Sequence, residues 1–202
     1  MNQDTSAALL EAARDLFASR GYDGASIRAI TERAGVSLGA VTYHFGGKEL
    51  LYHRVLETFI DPLRERVVEA AAEDGPPLDR IEAIVRALFQ QYAAQPTMPR
   101  LILQQIASGR PAPPPARAWV RQALGVVSDL VREGQADGTI REGDSRSMAL
   151  ITVAPILFVH LLRRPLQDAL GLNLDDERTR EALLEQIVTA VRGGLTEPEG
   201  AV

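Results

Sequence analysis

Between Ser26 and Lys48 lies a set of groups suited to holding a polyanion rather than to making or breaking bonds. Ser26, Ser37 and Thr42 carry hydroxyls, Tyr43 a phenol, and Arg28 and Lys48 positive charges. On a helix, Gly39 and Tyr43 are four apart and share one face, while Val41 and Phe45 share the opposite one. A helix that packs by one edge and offers glycine, alanine, threonine and tyrosine on the other suits close approach. That is what the major groove of DNA requires, with the helix N-terminal residues at the base edges. Thr42 and Tyr43 are expected to reach phosphates or base edges, and Ser26, Arg28 and Ser37 to reach phosphates. Leu38 and Ala40 belong to the same expected contact surface. For His44, phosphate contact and closure of a small core are both open. Lys48 begins the following helix, where free N–H groups and the helix dipole already favour an anion.

Other chemistries find less support. Gly46-Gly47-Lys48 lacks the upstream glycine and the downstream Ser/Thr of a phosphate loop. His44, His53 and His160 stand at no metal-binding spacing, and the chain has no cysteine, so no metal, cofactor or disulfide is expected. No nucleophile lies at a supporting distance from a base, and an enzyme is not expected.

The elements that position the first set can be read from local punctuation. Ser26 is placed to cap a helix whose apolar stripe is Ile27, Ile30 and Ala34, and Gly35 ends it in the left-handed region. Val36 plugs the corner. Ser37 is expected to cap the next helix, Ser37 to His44, and Gly46-Gly47 to end it. A first helix over residues 7–20 buries Leu9, Ala13, Leu16 and Phe17, with Asp4 or Thr5 as its cap and Gly21 as its stop.

The run Ala-Gly-Val-Ser-x-Gly-Ala-Val-x-Tyr-His-Phe-Gly-x-Lys-Glu, starting at Ala34, resembles the DNA-binding domain of TetR-family transcriptional regulators. About a dozen positions fit in order without a gap, and the segment LLEAARDLFASRGYDGAS before it resembles that family's first helix. Thr31, where the family usually has alanine, and Gly47, where serine often precedes the lysine, are small departures. The resemblance covers about the first quarter of the chain; beyond residue 55 it is architectural.

Composition sets the remaining bounds. The chain has 202 residues, of which 46% are hydrophobic and only 5% aromatic, which suits a core of packed helices. Net charge is −5, and residues 1–52 are not basic, so any positive stripe must be assembled in space. Residues Asn2 to Ser6 are polar, without the basic segment of a signal peptide, and the longest apolar run, 148–162, is shorter than the ~20 residues of a membrane helix. A cytoplasmic protein is expected.

An all-α fold of about nine helices follows, divided into a reading head at 1–47 and a larger body at 48–202. A helix from Lys48 to about Ala72 repeats Leu51, Val55, Phe59, Leu63 and Val67, and Pro62 is expected to kink or divide it. Helices are expected at 78–94, 100–107 and 115–136. The last of these has Trp119, Val120, Leu124, Val127, Leu130 and Val131 inside. Asp144 is expected to cap a helix to Leu162 that is apolar nearly all round and so needs cover on every side. Arg163-Arg164-Pro165 closes it, Asp175 or Asp176 opens a last helix to about Arg192, and the tail from Thr196 is polar.

The resemblance implies a homodimer paired through the last two long helices, about 145–162 and 176–192, on a palindromic DNA operator. DNA geometry asks for the same, since two reading heads ~34–36 Å apart meet successive major grooves. The resemblance also implies a repressor released by a small-molecule effector held among the C-terminal helices. Candidate lining residues are Phe89, Tyr92, Met98, Gln104, Gln105, Trp119, Phe158 and His160, each of which also reads as an ordinary core residue. Two rival classes stay open: an all-helical small-molecule-binding protein or enzyme with a degenerate reading head, and a helical adaptor.

Overall fold

Leu9, Ala13, Leu16 and Phe17 are all buried, as their spacing requires, and they lie on helix α1 (Asn2–Gly24) of a computed structural model that describes residues 2–197. Helix α1 starts earlier than its sequence suggests. Asp4 lies inside the first turn, where the dipole favours a carboxylate, rather than before it as a cap, and Thr5 also lies within the helix. The helical path breaks at Gly21, whose φ of 71° and ψ of 175° only glycine adopts cheaply.

Ten helices and no strand make up the regular structure of the described residues: α2 (Ile27–Ala34), α3 (Ala40–Phe45), α4 (Lys48–Ala71), α5 (Pro77–Ala94), α6 (Thr97–Ala107), α7 (Pro114–Asp137), α8 (Ser145–Leu161), α9 (Arg163–Leu170) and α10 (Glu177–Leu195) follow α1. Among them no single helix is long and apolar enough to cross a membrane. The chain forms two compact units. One holds the chain up to Asp61 together with Gln95–Ala118; the other holds Pro62–Ala94 and the chain from Trp119 on.

In the first unit α1 packs on α2, α3 and α6. Its core joins the α1 stripe to Ile30, Val41, Leu51, Val55 and Leu101. Helix α6 begins at Thr97, before the expected Arg100. Pro99 falls in the first turn, where an N–H has no helical partner to lose, so proline does not exclude the helix there. In the second unit α5, α8 and α10 pack on one another. Arg192 pairs with Asp79 at 2.8 Å and with Glu82, and Arg86 grips the Glu185 carboxylate, so three ion pairs tie α10 to α5. Gly134 of α7 lets Ile140 close on the helix, since a Cβ there would lie 2.6 Å from the Ile140 side chain.

Three expectations need correction and a fourth is incomplete. Pro62 does not divide α4, which runs as one helix through it; Phe59 and Leu63, buried on either side, hold the turn. Helix α8 ends at Leu161, before Arg163-Arg164-Pro165 as expected, but those residues also open α9, a helix the sequence did not suggest, again with proline in a first turn. Val120 is exposed, because the buried stripe of α7 is Trp119, Ala123, Val127, Leu130 and Val131. Ser37 caps nothing. Its carbonyl accepts from the Ala40 N–H at 3.0 Å in a tight turn, and α3 starts only at Ala40, with Gly39 as a cap residue that has no side chain to offer. The caps at Asp144 and Asp176 form as expected, accepting from Ser147 and Thr179 N–H at 2.8 and 2.9 Å. Of the tail, residues 198–202 lie outside the described residues.

The two serines around α2 and α3 therefore separate by experiment. Ser26 Oγ accepts from the Ala29 N–H at 3.1 Å, so Ser26→Ala should cost ~1 kcal/mol in urea unfolding, whereas Ser37→Ala should leave the curve unchanged.

Candidate nucleic-acid interface

Gly35 turns the chain out of α2 at φ 67°, and its N–H returns to the Thr31 and Glu32 carbonyls. Val36 N–H bonds the Thr31 carbonyl at 3.0 Å, which fixes the corner from which Ser37 and Leu38 project. Thr31 itself is buried, its hydroxyl donating back to the Ile27 and Arg28 carbonyls, so the departure from alanine is accommodated inside α2.

Helix α3 is only six residues long and is held by one edge. Val41 is fully buried and Phe45 half-buried; Ser37, Leu38, Gly39, Thr42 and Tyr43 all lie open. Tyr43 is 74% and Leu38 61% exposed, unusual for residues of their size. Gly39 needs no glycine for its backbone, which is ordinary right-handed helix, and a Cβ there would meet nothing within 4 Å. Nothing inside the protein explains the missing side chain, whereas close approach by an outside body does. Ala40 departs from the expected surface: at 8% exposure its methyl packs inward beneath the open face. Half-buried His44 sets its ring edge-to-face on Tyr43 at 4.9 Å between centroids.

Lys48 lies over the Tyr22 ring, its Nζ 4.4 Å from the centroid. Partial burial draws its pKa down, the nearby Asp23 carboxylate pulls it up, and Arg110 pushes it down again. Arg110 stands over the same ring at 4.7 Å and pairs with Asp23 at 2.7 Å. Sequence reading missed Tyr22 and Arg110. Tyr22 was visible only as part of a glycine-tyrosine stop, and Arg110 lies in a proline-rich loop far along the chain. Arg28 forms an exposed pair with Glu32 at 2.8 Å, a contact of a few tenths of a kcal/mol that a phosphate can replace. Ser26 lies exposed at the same end of α2.

The eight effector candidates are divided between the two units. Met98, Gln104 and Gln105 belong to the first unit. The Gln105 amide is fully committed there, donating to the Arg110 and Pro111 carbonyls and accepting from the Tyr52 hydroxyl at 3.2 Å. In the second unit, His160 is buried with Phe89 4.8 Å and Tyr92 5.8 Å from its ring, and the Trp119 indole hydrogen-bonds the Tyr92 phenol. Burial pushes that phenol up to about 12. Phe158 stands apart, 58% exposed on the far side of α8. With Leu150, Ile151, Ala154 and Pro155 it forms an uncovered apolar face, beside a groove of about 280 Å³ shared with Gln186, Ala190 and Gly194 of α10.

Residues 9–55 match the family model for "Bacterial regulatory proteins, tetR family", and residues 77–191 the model for "Tetracyclin repressor-like, C-terminal domain". The chain is 25% identical to the HTH-type transcriptional repressor KstR2 of Mycolicibacterium smegmatis over 201 residues, covering 95% of this chain and 91% of the relative. A bacterial regulatory protein of the tetR family from Rhodococcus RHA1 superposes with a TM-score of 0.77 at 19% identity, over 96% of this chain and 98% of the other. AibR, solved in complex with isovaleryl coenzyme A and operator DNA, superposes with a TM-score of 0.72 at 20% identity, over 96% and 99%.

The buried imidazole has a measurable signature. Burial, with Arg163 and Arg180 assisting, lowers the His160 pKa from 6.5 to about 4. The folded protein thus holds His160 neutral while the unfolded chain protonates it. Its contribution is fully present above pH 6.5 and is lost as pH falls towards 4. Urea unfolding of wild type against His160→Phe should show the wild type losing about 3 kcal/mol more than the variant between pH 7 and 4.

Proposed function

Because the chain belongs to the TetR family of bacterial regulatory proteins, we propose that this DNA-binding transcriptional regulator is a homodimeric repressor, which grips a palindromic operator and lets go when a small-molecule effector binds. The observation that carries the reading is the open face of α3, where Tyr43 stands exposed beside a Gly39 that the fold does not require. Residues 1–47 serve as the reading head and 48–202 as the effector-binding and dimerisation body. Ser37, Leu38, Gly39, Thr42 and Tyr43 enter the major groove; Ser26, Arg28 and Lys48 meet phosphates, and His44 steadies Tyr43 from the side. Lys48, braced on Tyr22, offers its ammonium in one place rather than as a free tether, which lowers the ordering cost of contact. The site acts in the cytoplasm, by binding and not by catalysis.

The partner subunit sits on the apolar face of α8 and the adjoining small residues of α10. Support comes from the face itself: Leu150, Ile151 and Phe158 are exposed on a helix whose opposite stripe, Met148, Ala149, Thr152, Ile156 and His160, is already buried. Two copies packed through α8 and α10 make a four-helix bundle and cover the side the single chain leaves open. The effector lies in the second unit near Phe89, Tyr92, Trp119 and His160. It acts by favouring a conformer whose two reading heads no longer fit adjacent grooves, and its leverage is its difference in affinity between the two conformers. AibR, which shares the fold, has been solved with both kinds of partner, and KstR2 is named a repressor; both support the reading.

Gel-shift titration on a palindrome from the protein's own promoter tests the head. Tyr43→Ala should weaken binding sharply, and Lys48→Ala should weaken it on every sequence while lowering the salt slope by ~1. Sedimentation tests the body: Ile151→Glu should give a folded monomer that no longer shifts the palindrome at concentrations where wild type does.

A further inference from the structure

His160 is 6% exposed, and its Nε2 is buried with no hydrogen-bond partner, while the Phe89 backbone carbonyl accepts from the imidazole. The ring proton therefore sits on Nδ1, and Nε2 presents a bare lone pair. Leaving such an atom unmatched costs stability. A phenylalanine would fill the same space between Phe89 and Tyr92 without that cost. The surroundings are aromatic: Phe89, Tyr92 and the Trp119 indole that bonds the Tyr92 phenol. Phe89 also walls a groove of about 380 Å³ between α5 and the start of α10, lined further by the polar Gln90, Glu177, Arg180 and Glu181 and the apolar Ala93 and Leu184.

We infer that Nε2 of His160 is the specificity-determining acceptor of the effector site, and that the effector is a neutral molecule with an apolar, ring-sized body and a hydroxyl or N–H donor. This rests on the effector reading given above. The ligand class follows from charge and lone pairs. A carboxylate or ketone oxygen brings only lone pairs and has no proton to donate to Nε2. An ammonium is disfavoured because Arg163 and Arg180 both place positive charge within reach of the imidazole. A neutral donor satisfies the atom at no such penalty, and its body stacks on the surrounding rings. A site built around an unmatched acceptor also rejects the analogue that lacks the donor, because binding it would leave Nε2 bare.

The test uses full-length dimer labelled with ¹⁵N-histidine, titrated with 1-naphthol, 1-methylnaphthalene and 1-naphthoate. The chain has three histidines, so the His160 signals are assigned by their loss in His160→Phe. In the free protein Nε2 should resonate as an unbonded pyridine-type nitrogen, and 1-naphthol should move it upfield. Binding of 1-naphthol should be about tenfold tighter than that of 1-methylnaphthalene, with 1-naphthoate weakest, and His160→Phe should bring the first two level. An Nε2 already hydrogen-bonded in the free protein, as by an internal water, would overturn the inference. So would an Nε2 signal that stays still at saturating 1-naphthol, or a preference that survives in His160→Phe. Gel shifts with the same compounds keep the two readings apart. Naphthol that moves Nε2 but leaves DNA bound supports the acceptor role and counts against release. Naphthol that frees DNA without moving Nε2 does the reverse.

Discussion

A helix of six residues cannot hold itself in water, because the cost of its first turn exceeds what so few hydrogen bonds return. That constraint governs the reading head. Helix α3 exists only because Val41 is sunk to zero exposure in a core built by α1 and α2, with Ala40 beneath and Phe45 at the rim. Surrendering one edge to the core fixes the other edge in space. Everything on the open side, from Ser37 to Tyr43, inherits its position from that one buried valine and from the left-handed turn at Gly35. The supporting contacts reach further than the short helix does. Tyr22 lies against Phe17 and Tyr52 and carries both Lys48 and Arg110, so the first cation of α4 is set by the same aromatic cluster that closes the core.

A second constraint acts on the other unit. Helix α8 is apolar on nearly every side, yet one chain covers only the stripe from Met148 to His160. The opposite stripe stays open, and it is the side on which we propose that the partner subunit sits. Ion pairs bind α5 to α10 on their solvent edges, and the Arg141 N–H and guanidinium bond the Leu195 and Gly194 carbonyls at 2.8 Å each, so α10 is held at its C-terminal end. Against this firm packing stands the unmatched nitrogen of His160; among the described residues the Gln95 amide oxygen is the other buried side-chain atom without a hydrogen-bond partner.

The fold was largely legible in the sequence because apolar spacing and punctuation agreed over long stretches. The stripes of α1 and α4 are buried residue for residue, and Gly35, Asp144 and Asp176 act as stops and caps. What failed was proline. Reading Pro99 and Pro165 as breaks hid α9 and shortened α6, since a proline in a first turn sacrifices no hydrogen bond. Ser37 failed for a related reason: a serine ahead of a helix caps it only if the helix starts at the next residue, and here a tight turn intervenes. The open face of α3 was legible because it depends on residues in one short run. The cluster of Tyr22, Lys48 and Arg110 was not, because it joins positions that no local pattern relates.

The central claim is that two exposed faces of α3 enter DNA together, held apart by a paired body. A hydroxyl-radical footprint of the promoter palindrome measures this directly. The account predicts two protected patches of equal depth, centred about one helical turn of the duplex apart and lost together when the protein is diluted below its pairing concentration. A single patch, or two that fade independently, would contradict it.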